Sequence, residues 1–399
     1  MDILTHAVMG AALAAGVATI RHDGEKSASP HPHSPLRAPR PALHSRPAQA
    51  ARSVLRETPP PPQREREAVC LLSPSGREVG RDGLAARRRL AAGIGAAAGL
   101  LPDADALIQS GGDALLVLDY HRHFSHALAF VPFGALIAAL LLWPLLRRRI
   151  DFATLYLCAL AGYLPHPLLD ACTSYGTHLW LPFSQQREAW NLIAVVDPLF
   201  TLALAVPLFL YLRRPDSRAL RWGLLLGACY FGLSFAQQQR GEAAALALAQ
   251  ARGHQPTQLS VKPSMANLVL WRSLYVNDGR VQVDAFHLGP TLRHYPGASA
   301  PLLDAAAART VAAGEAKRLH DIERFRVFSD GFLVLDARRP GFVGDARYAM
   351  QPTAVAPIWG LVWRGPGAAT EFVSHHDFSP AMRRDFFAML LGRDLSAAR

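Results

Sequence analysis

Apolar positions in this chain are gathered into long runs. Ala127–Leu146 extends for 20 residues without a charge, and Leu192–Leu212 for 21 with a single acid, Asp197. About 20 apolar residues are what a helix needs to cross the hydrocarbon core. Phe152–Leu169 is an 18-residue run that contains His166, and Ile3–Ile20 is another that contains His6. Leu220–Phe235 is shorter and is interrupted by Arg221. Leu90–Leu101 has only 12 residues before Pro102 and Asp103, and reads as a short or re-entrant helix. A signal peptide is the alternative for Ile3–Ile20, but the basic segment that precedes such a peptide is missing. Buried core helices are the alternative for the other runs, and two runs of full spanning length argue against it. The pattern predicts a mainly α protein, a polytopic helical membrane domain of about five or six helices.

Two regions depart from this pattern. Residues 21–89 contain 11 prolines, scattered histidines and no sustained apolar periodicity, which predicts a disordered insertion unable to bury enough surface to offset chain entropy. An error in the gene model is the other account of that stretch. Residues 237–399 read as a small C-terminal α+β domain outside the membrane. Leu268–Tyr275 and Val281–Phe286 flank Asn277-Asp278-Gly279, a hairpin signal. Phe325–Phe328, Phe332–Leu335, Ile358–Trp363 and Glu371–Ser374 read as strands, and Ala300–His320 as a helix. His375-His376-Asp377 reads as an exposed loop rather than a metal cluster. The domain organisation expected is therefore 1–20 as a first membrane helix, 21–89 as insertion, 90–236 as the remaining membrane helices, and 237–399 as the tail domain.

Composition sharpens this. Half the residues are hydrophobic and only 18% are charged, against about 25% in soluble domains. The net charge of +11 does not sit on a nucleic-acid face; it is concentrated between apolar runs. Arg147, Arg148 and Arg149 follow one run, and Arg213, Arg214, Arg218 and Arg221 lie between the next two. The segment 22–89 has 13 basic against 7 acidic residues. Basic short loops stay cytoplasmic. Placing all three inside gives one threading, in which the N-terminus and the tail domain lie outside the cytoplasm of a bacterial inner membrane. The four cysteines, Cys70, Cys158, Cys172 and Cys229, have no metal-ligand or disulfide-framework spacing.

Ionisable groups at membrane depth cost about 2.5–3.5 kcal/mol each at a helix centre, so they need a reason. The threading uses only the arginines, yet it gathers His6, Asp103, Asp105, His121, His123, His126, His166, Asp170 and Asp197 at one membrane face. His166 and Asp170 are spaced i,i+4 and share a helical face. Imidazoles with carboxylates suit zinc or another first-row divalent ion. His126, His166 and Asp170 are the strongest ligand candidates. His123 reads as an interfacial side chain. Asp103 or Asp105 can cap a helix, and Asp197, before Pro198, can cap one too or orient a ligand.

At these residues the chain resembles the YdjM/YbcI family, described as metal-dependent hydrolases of the inner membrane. The matching pieces are Met1-Asp2-Ile3-Leu4-Thr5-His6, Leu101-Pro102-Asp103-Ala104-Asp105, His121-Arg122-His123-Phe124-Ser125-His126, His166-Pro167-Leu168-Leu169-Asp170, and Ser174-Tyr175-Gly176-Thr177 through Val196-Asp197-Pro198-Leu199-Phe200. The resemblance implies a divalent-metal site carried by His6, Asp103, Asp105, His121, His126, His166 and Asp170. It also implies hydrolase activity. The insertion 21–89 departs from the short turn expected there. The family is also described as LexA-binding, which nothing in these residues shows.

The expectation is a membrane-embedded hydrolase using one or two divalent ions, zinc foremost, on a phosphoester or ester of a lipid or lipid-linked substrate. Asp105 or Asp197 is the candidate general base, and Arg122 a phosphate clamp, with solvent exposure as its alternative. Trp180, Phe183 and Trp190 in the loop Thr173–Asn191 suit interfacial anchoring. The competing readings are an ion or metal transporter, weakened by the lack of an internal repeat, and a non-catalytic membrane partner with a structural metal.

Overall fold

The computed structural model describes residues 1–27, 81–214 and 217–395. Most of the insertion, and the disorder expected of it, lies outside the described residues. Its two ends do not fit that expectation: helix α1 spans Ile3–Ser27 and α2 spans Arg81–Leu100. The arginines at 87–89, which look like loop composition, are good helix formers and extend α2 backwards. A 3₁₀ segment, Leu101–Leu107, continues it. Helix 2 is thus no short or re-entrant element, since Gly83–Leu107 is long and apolar enough to cross a membrane.

The chain continues through α3 (Leu116–Tyr120), α4 (Val131–Leu146), α5 (Phe152–Tyr163), α6 (Pro165–Ala171), α7 (Pro198–Arg213) and α8 (Ser217–Ala251). Pro165, at the start of α6, lacks the N–H that would continue the α5 ladder, so the predicted single run becomes two helices. Among the described residues, Leu128–Leu146, Phe152–Ala171 and Arg218–Ala251 also reach spanning length, while Ile3–Ala18 and Pro198–Arg213 are shorter apolar helices. The run Leu192–Leu212 turns helical only at Pro198. The last run is much longer than its apolar part suggests: α8 has 35 residues.

Glycine sets the spacing of α1, α2 and α5. A Cβ added at Gly95 would lie 2.2 Å from the Gly10 carbonyl oxygen, and one at Gly162 would lie 2.3 Å from that of Gly95. Lipid gives no hydrophobic drive between helices, so close backbone approach at small residues supplies the packing. Small alanines fill the surrounding core, with Ala14, Ala91, Ala98, Ala138 and Ala159 fully buried beside Leu155. The outward face of α4 is apolar and exposed at Phe133, Leu140, Leu141 and Leu145, the inverse of a soluble helix. Gly99 lies against His6 and Gly134 against Tyr163. The start of α1, the end of α2, the start of α4 and the end of α5 therefore share one end of the bundle.

The tail carries two antiparallel sheets. The first has order β1 (Gln258–Pro263), β2 (Leu270–Asn277), β3 (Arg280–Leu288), β4 (Leu292–Pro301). The second has order β5 (Leu333–Leu335), β6 (Val343–Asp345), β7 (Trp359–Val362), β8 (Glu371–Ser374). The predicted hairpin is present, with Asn277 paired to Arg280 and positive φ at Asp278 and Gly279, as a two-residue primed turn requires. Two expectations are corrected. Phe325–Phe328 ends a helix, α10 (Ala316–Phe328), because Ile322, Phe325 and Phe328 are buried at i,i+3 spacing. The helix predicted over Ala300–His320 starts later, at α9 (Ala305–Ala312), and breaks at Ala313-Gly314, both left-handed. A last helix, α11 (Pro380–Leu390), packs Met389 against Leu270 and Tyr295.

The two parts interlock. The second half of α8 covers the first sheet through Ala245, which clusters with Val261, Trp271 and Phe286. Leu115 and Leu118, from the segment after α2, are buried in the tail core with Leu303, Phe325 and Leu333. Arg324 fixes that insertion, bridging Asp113 at 3.0 Å and also contacting Asp119. The tail therefore sits on the bundle end where the histidines and acids gather.

Candidate metal centre

Four side chains converge there. Asp103 comes from the 3₁₀ segment after α2, His126 from the turn before α4, and His166 and Asp170 from α6. Their ligand atoms all lie within 4.8 Å of one another. His126 Nε2 is 3.0 Å from His166 Nε2 and 3.1 Å from Asp170 Oδ2. His166 Nε2 is 3.5 Å from both Asp170 Oδ2 and Asp103 Oδ1. Three of the four are fully buried, and only Asp103 reaches solvent, with 21% of its side chain exposed. Two donors about 2.1 Å from one ion, at tetrahedral or octahedral angles, lie about 3.0–3.4 Å apart, so the spacing fits an ion.

The protons make the stronger case. His166 Nδ1 lies 2.6 Å from the Gly99 carbonyl, which can only accept, so Nδ1 carries the hydrogen. His126 Nδ1 lies 3.0 Å from Asp105 Oδ2, again an acceptor. In neutral rings with these tautomers the two Nε2 lone pairs would face each other across 3.0 Å. Such a pair repels unless a cation or proton lies between. Asp170 Oδ2, beside them, is buried and ion-paired with Arg122 Nε at 3.1 Å. Fixing the far ring nitrogen by a carboxylate or carbonyl is the usual outer support of a metal-bound histidine.

Asp105 lies one layer out, beside the His126 ring. Its Oδ1 accepts from His121 Nδ1 at 2.8 Å, and its Oδ2 accepts from the Arg122 amide at 2.9 Å and Ser125 Oγ at 2.6 Å. His121 is therefore turned to Asp105 and lies outside the four-residue group. His6 also lies just outside it: its ring stacks on His166 with centroids 3.5 Å apart, and its Nε2 is 3.1 Å from Asp170 Oδ1. The Met1 amino group contacts the same oxygen.

Arg122 is buried, which removes the solvent-exposed alternative. Its Nε is 3.1 Å from Asp170 Oδ2, its Nη1 donates to Thr173 Oγ1 at 2.8 Å, and its guanidinium covers the Tyr175 ring at 4.7 Å. Its φ of +64° is strained for a side chain of this size, and such strain persists where surroundings over-determine it. His123 points elsewhere, with its ring edge-on to His178 at 4.8 Å. Burial lowers the pKa of both, that of His178 to about 4, so neither carries charge at neutral pH. Asp197 is also apart. Its Oδ1 caps α7 by accepting from the Phe200 amide at 3.1 Å, and its Oδ2 accepts from Tyr230 Oη at 2.6 Å. His375, His376 and Asp377 are exposed and line a cavity of about 460 Å³ in the tail.

Residues 68–241 match the family model described as YdjM inner membrane protein. The resemblance read from the motifs is borne out over that stretch, which contains all four converging residues; His6 precedes it. The chain is also 32% identical over 97 residues to the uncharacterized protein YfhP of Bacillus subtilis (strain 168), covering 24% of this chain and 29% of that protein. No solved structure matches the chain. A membrane location follows from the family and the apolar helices together. Sequence reasoning did not find Gly99 or Thr173. Gly99 contributes only a backbone carbonyl and packing room, and no side-chain motif marks either.

Proposed function

We propose that this protein is a membrane-embedded, metal-dependent hydrolase. Its substrate is a phosphoester or ester of a lipid or lipid-linked molecule at the outer membrane–water interface. The observation that carries the reading is the convergence of four ligand atoms: His126 Nε2 and His166 Nε2 lie 3.0 Å apart, each 3.1–3.9 Å from Asp170 Oδ2 and Asp103 Oδ1. Asp103, His126, His166 and Asp170 would hold the ion, and their mixed nitrogen and oxygen donors suit zinc or a neighbouring divalent metal. A divalent ion in such a site acts as a Lewis acid and lowers the pKa of water.

The chain's own residues divide the remaining work. Asp105 locks the His126 ring, and Gly99 locks that of His166. Arg122 and the Met1 amine offset the buried Asp170 charge. With both Asp105 oxygens committed and Asp197 tied to α7 and α8, a proton from an attacking group would go to the oxygen of Asp103 not holding the ion, since Asp103 reaches solvent. His6, stacked on His166, fixes that ring against α1. Trp180, Phe183 and Trp190 are exposed in the loop after α6, where aromatic side chains suit the interface. The basic Arg147–Arg149 turn lies at the bundle end opposite this group, which supports a cytoplasmic location for the 21–89 insertion and an outer one for the tail.

The test is metal analysis of the purified full-length protein followed by a lipid-headgroup hydrolysis screen. Stoichiometric metal and turnover are expected. Metal uptake into sealed vesicles without turnover would move the assignment to transport.

A further inference from the structure

A second buried cluster lies at the seam between bundle and tail, and its imbalance is opposite in sign. Lys262 of β1 pairs in register with Arg272 of β2. Like charges directly opposite on neighbouring strands are destabilising, and here both side chains are buried, at 5% and 4% exposure. Lys262 Nζ lies 3.6 Å over the Tyr348 ring and has no hydrogen-bond partner. Arg272 donates only to backbone carbonyls, those of Ala346, Gln351 and Pro352, and its Nε is unpartnered. Arg347, over the same Tyr348 ring at 5.5 Å, is paired with Asp345.

The cations continue towards the metal centre. Tyr348 Oη reaches Ser174 Oγ at 3.2 Å, across the seam. Arg187 covers both Phe328 and Tyr175, at 5.1 and 5.6 Å, and it too donates only to carbonyls, of Leu118 and Gly176. Tyr175 then carries Arg122, which touches Asp170. Burial holds Lys262 well below the ordinary lysine range, with Asp345 opposing the shift, and Arg187 down to about 10. A buried charge without a partner is costly. Lys262, Arg272 and Arg347 share one nearby carboxylate, Asp345, which is paired with Arg347, so buried cations outnumber acids at this seam.

We propose that Lys262, Arg272 and Arg187 form an anion subsite for a phosphate group of the substrate, leading through Arg122 to the metal centre. This rests on the hydrolase reading and narrows its substrate class to phosphorylated molecules. Arginine and lysine on aromatic supports suit phosphate recognition.

The chain contains only three lysines, Lys26, Lys262 and Lys317, so lysine-selective ¹³Cε labelling of the full-length protein in detergent gives three resonances to assign. Inorganic phosphate is titrated into one sample, and phosphatidic acid in mixed micelles into another. The Lys262 resonance is expected to move in at least one arm, and the stronger arm identifies a free or a lipid source. By isothermal titration, Lys262→Met and Arg187→Met should each weaken binding about tenfold or more, the size of a charge-assisted contact. Movement of Lys26 or Lys317 alone, or affinity unchanged in both variants, would overturn the proposal. Metal content is read on the same samples. A metal-free protein that still binds phosphate through Lys262 would sink the hydrolase reading and leave the subsite standing; a metal-loaded one that does not would do the reverse.

Discussion

The candidate metal centre and the seam cluster are both buried and both rich in ionisable groups, but the first gathers acceptors and the second donors. At the first, the Nδ1 atoms of His126 and His166 face acceptors outside the group, while His126 Nε2, His166 Nε2 and Asp170 Oδ2 face one another. At the second, three buried donor nitrogens, Lys262 Nζ, Arg272 Nε and Arg187 Nε, have no hydrogen-bond partner. The first is the candidate cation site and the second the proposed anion site, and Arg122 and Tyr175 stand between them. Unbalanced polar groups in a folded interior are rare because they cost about 1–3 kcal/mol each, so the sign of an imbalance indicates the ligand a site is shaped for.

The largest effect that tests this contrast is at His166. His166→Ala removes one of the two facing lone pairs and the anchor to Gly99. Metal content by mass spectrometry should fall to background and turnover should vanish, while phosphate binding at the seam persists. A His166→Ala protein that keeps stoichiometric metal would place the ion elsewhere.

Next is the backbone contact that holds α1 and α2 together beneath the centre. Gly95→Ala places a methyl 2.2 Å from the Gly10 oxygen and 2.4 Å from Ala14 Cβ, and neither neighbour is a flexible side chain tip. Overpacking of this kind costs about 1–3 kcal/mol, and the upper end is expected. Thermal unfolding of the detergent-solubilised protein should show the loss, with His6 displaced from His166. Unchanged stability and unchanged metal affinity would show that helix spacing is not what aligns the rings.

These contrasts also mark what the sequence could show. His126, His166 and Asp170 were legible because a charged or imidazole group in an apolar run needs a reason, and the i,i+4 spacing put two of them on one face. Asp197 carried the same signal for a different cause: a buried acid before Pro198 serves as a helix cap, and sequence does not separate a cap from a ligand. Asp105 was read as ligand or base because its four donors come from residues 16 to 21 positions later in a turn whose shape depends on Arg122 at positive φ. The strand β4 was illegible, since Leu292–Pro301 contains Pro296 and Gly297, tolerated there because β4 is an edge strand. The Lys262–Arg272 pairing depends on strand register between segments with no turn signal of their own. Local pattern therefore marked side chains in an apolar setting well, and long-range pairing poorly.

Asp105 tests whether orientation matters separately from ligation. Asp105→Asn keeps the size but offers one acceptor where two carboxylate oxygens now serve His121, Arg122, Ser125 and His126. Loss of such an orienting carboxylate typically weakens metal affinity about 10–100-fold, near 1.4–2.7 kcal/mol. Competitive chelator titration measures it. An affinity loss as complete as that of His166→Ala would instead make Asp105 a direct ligand.

The smallest effect is expected at Asp197, and it decides whether that residue belongs to the chemistry at all. Its side chain is fully buried, yet both oxygens are occupied by structure, one by the α7 amide of Phe200 and one by Tyr230 of α8. Asp197→Asn retains one oxygen, which can serve the cap or the tyrosine but not both in the present geometry. The cost should be about 1 kcal/mol, a shift of a few degrees in thermal unfolding. Metal content and phosphate binding should be unchanged, and turnover should remain within a few-fold of the wild type. A collapse of turnover at intact stability and full metal loading would return Asp197 to the role of general base, and would mean that the reacting group approaches from the α7 side of the bundle, away from Asp103.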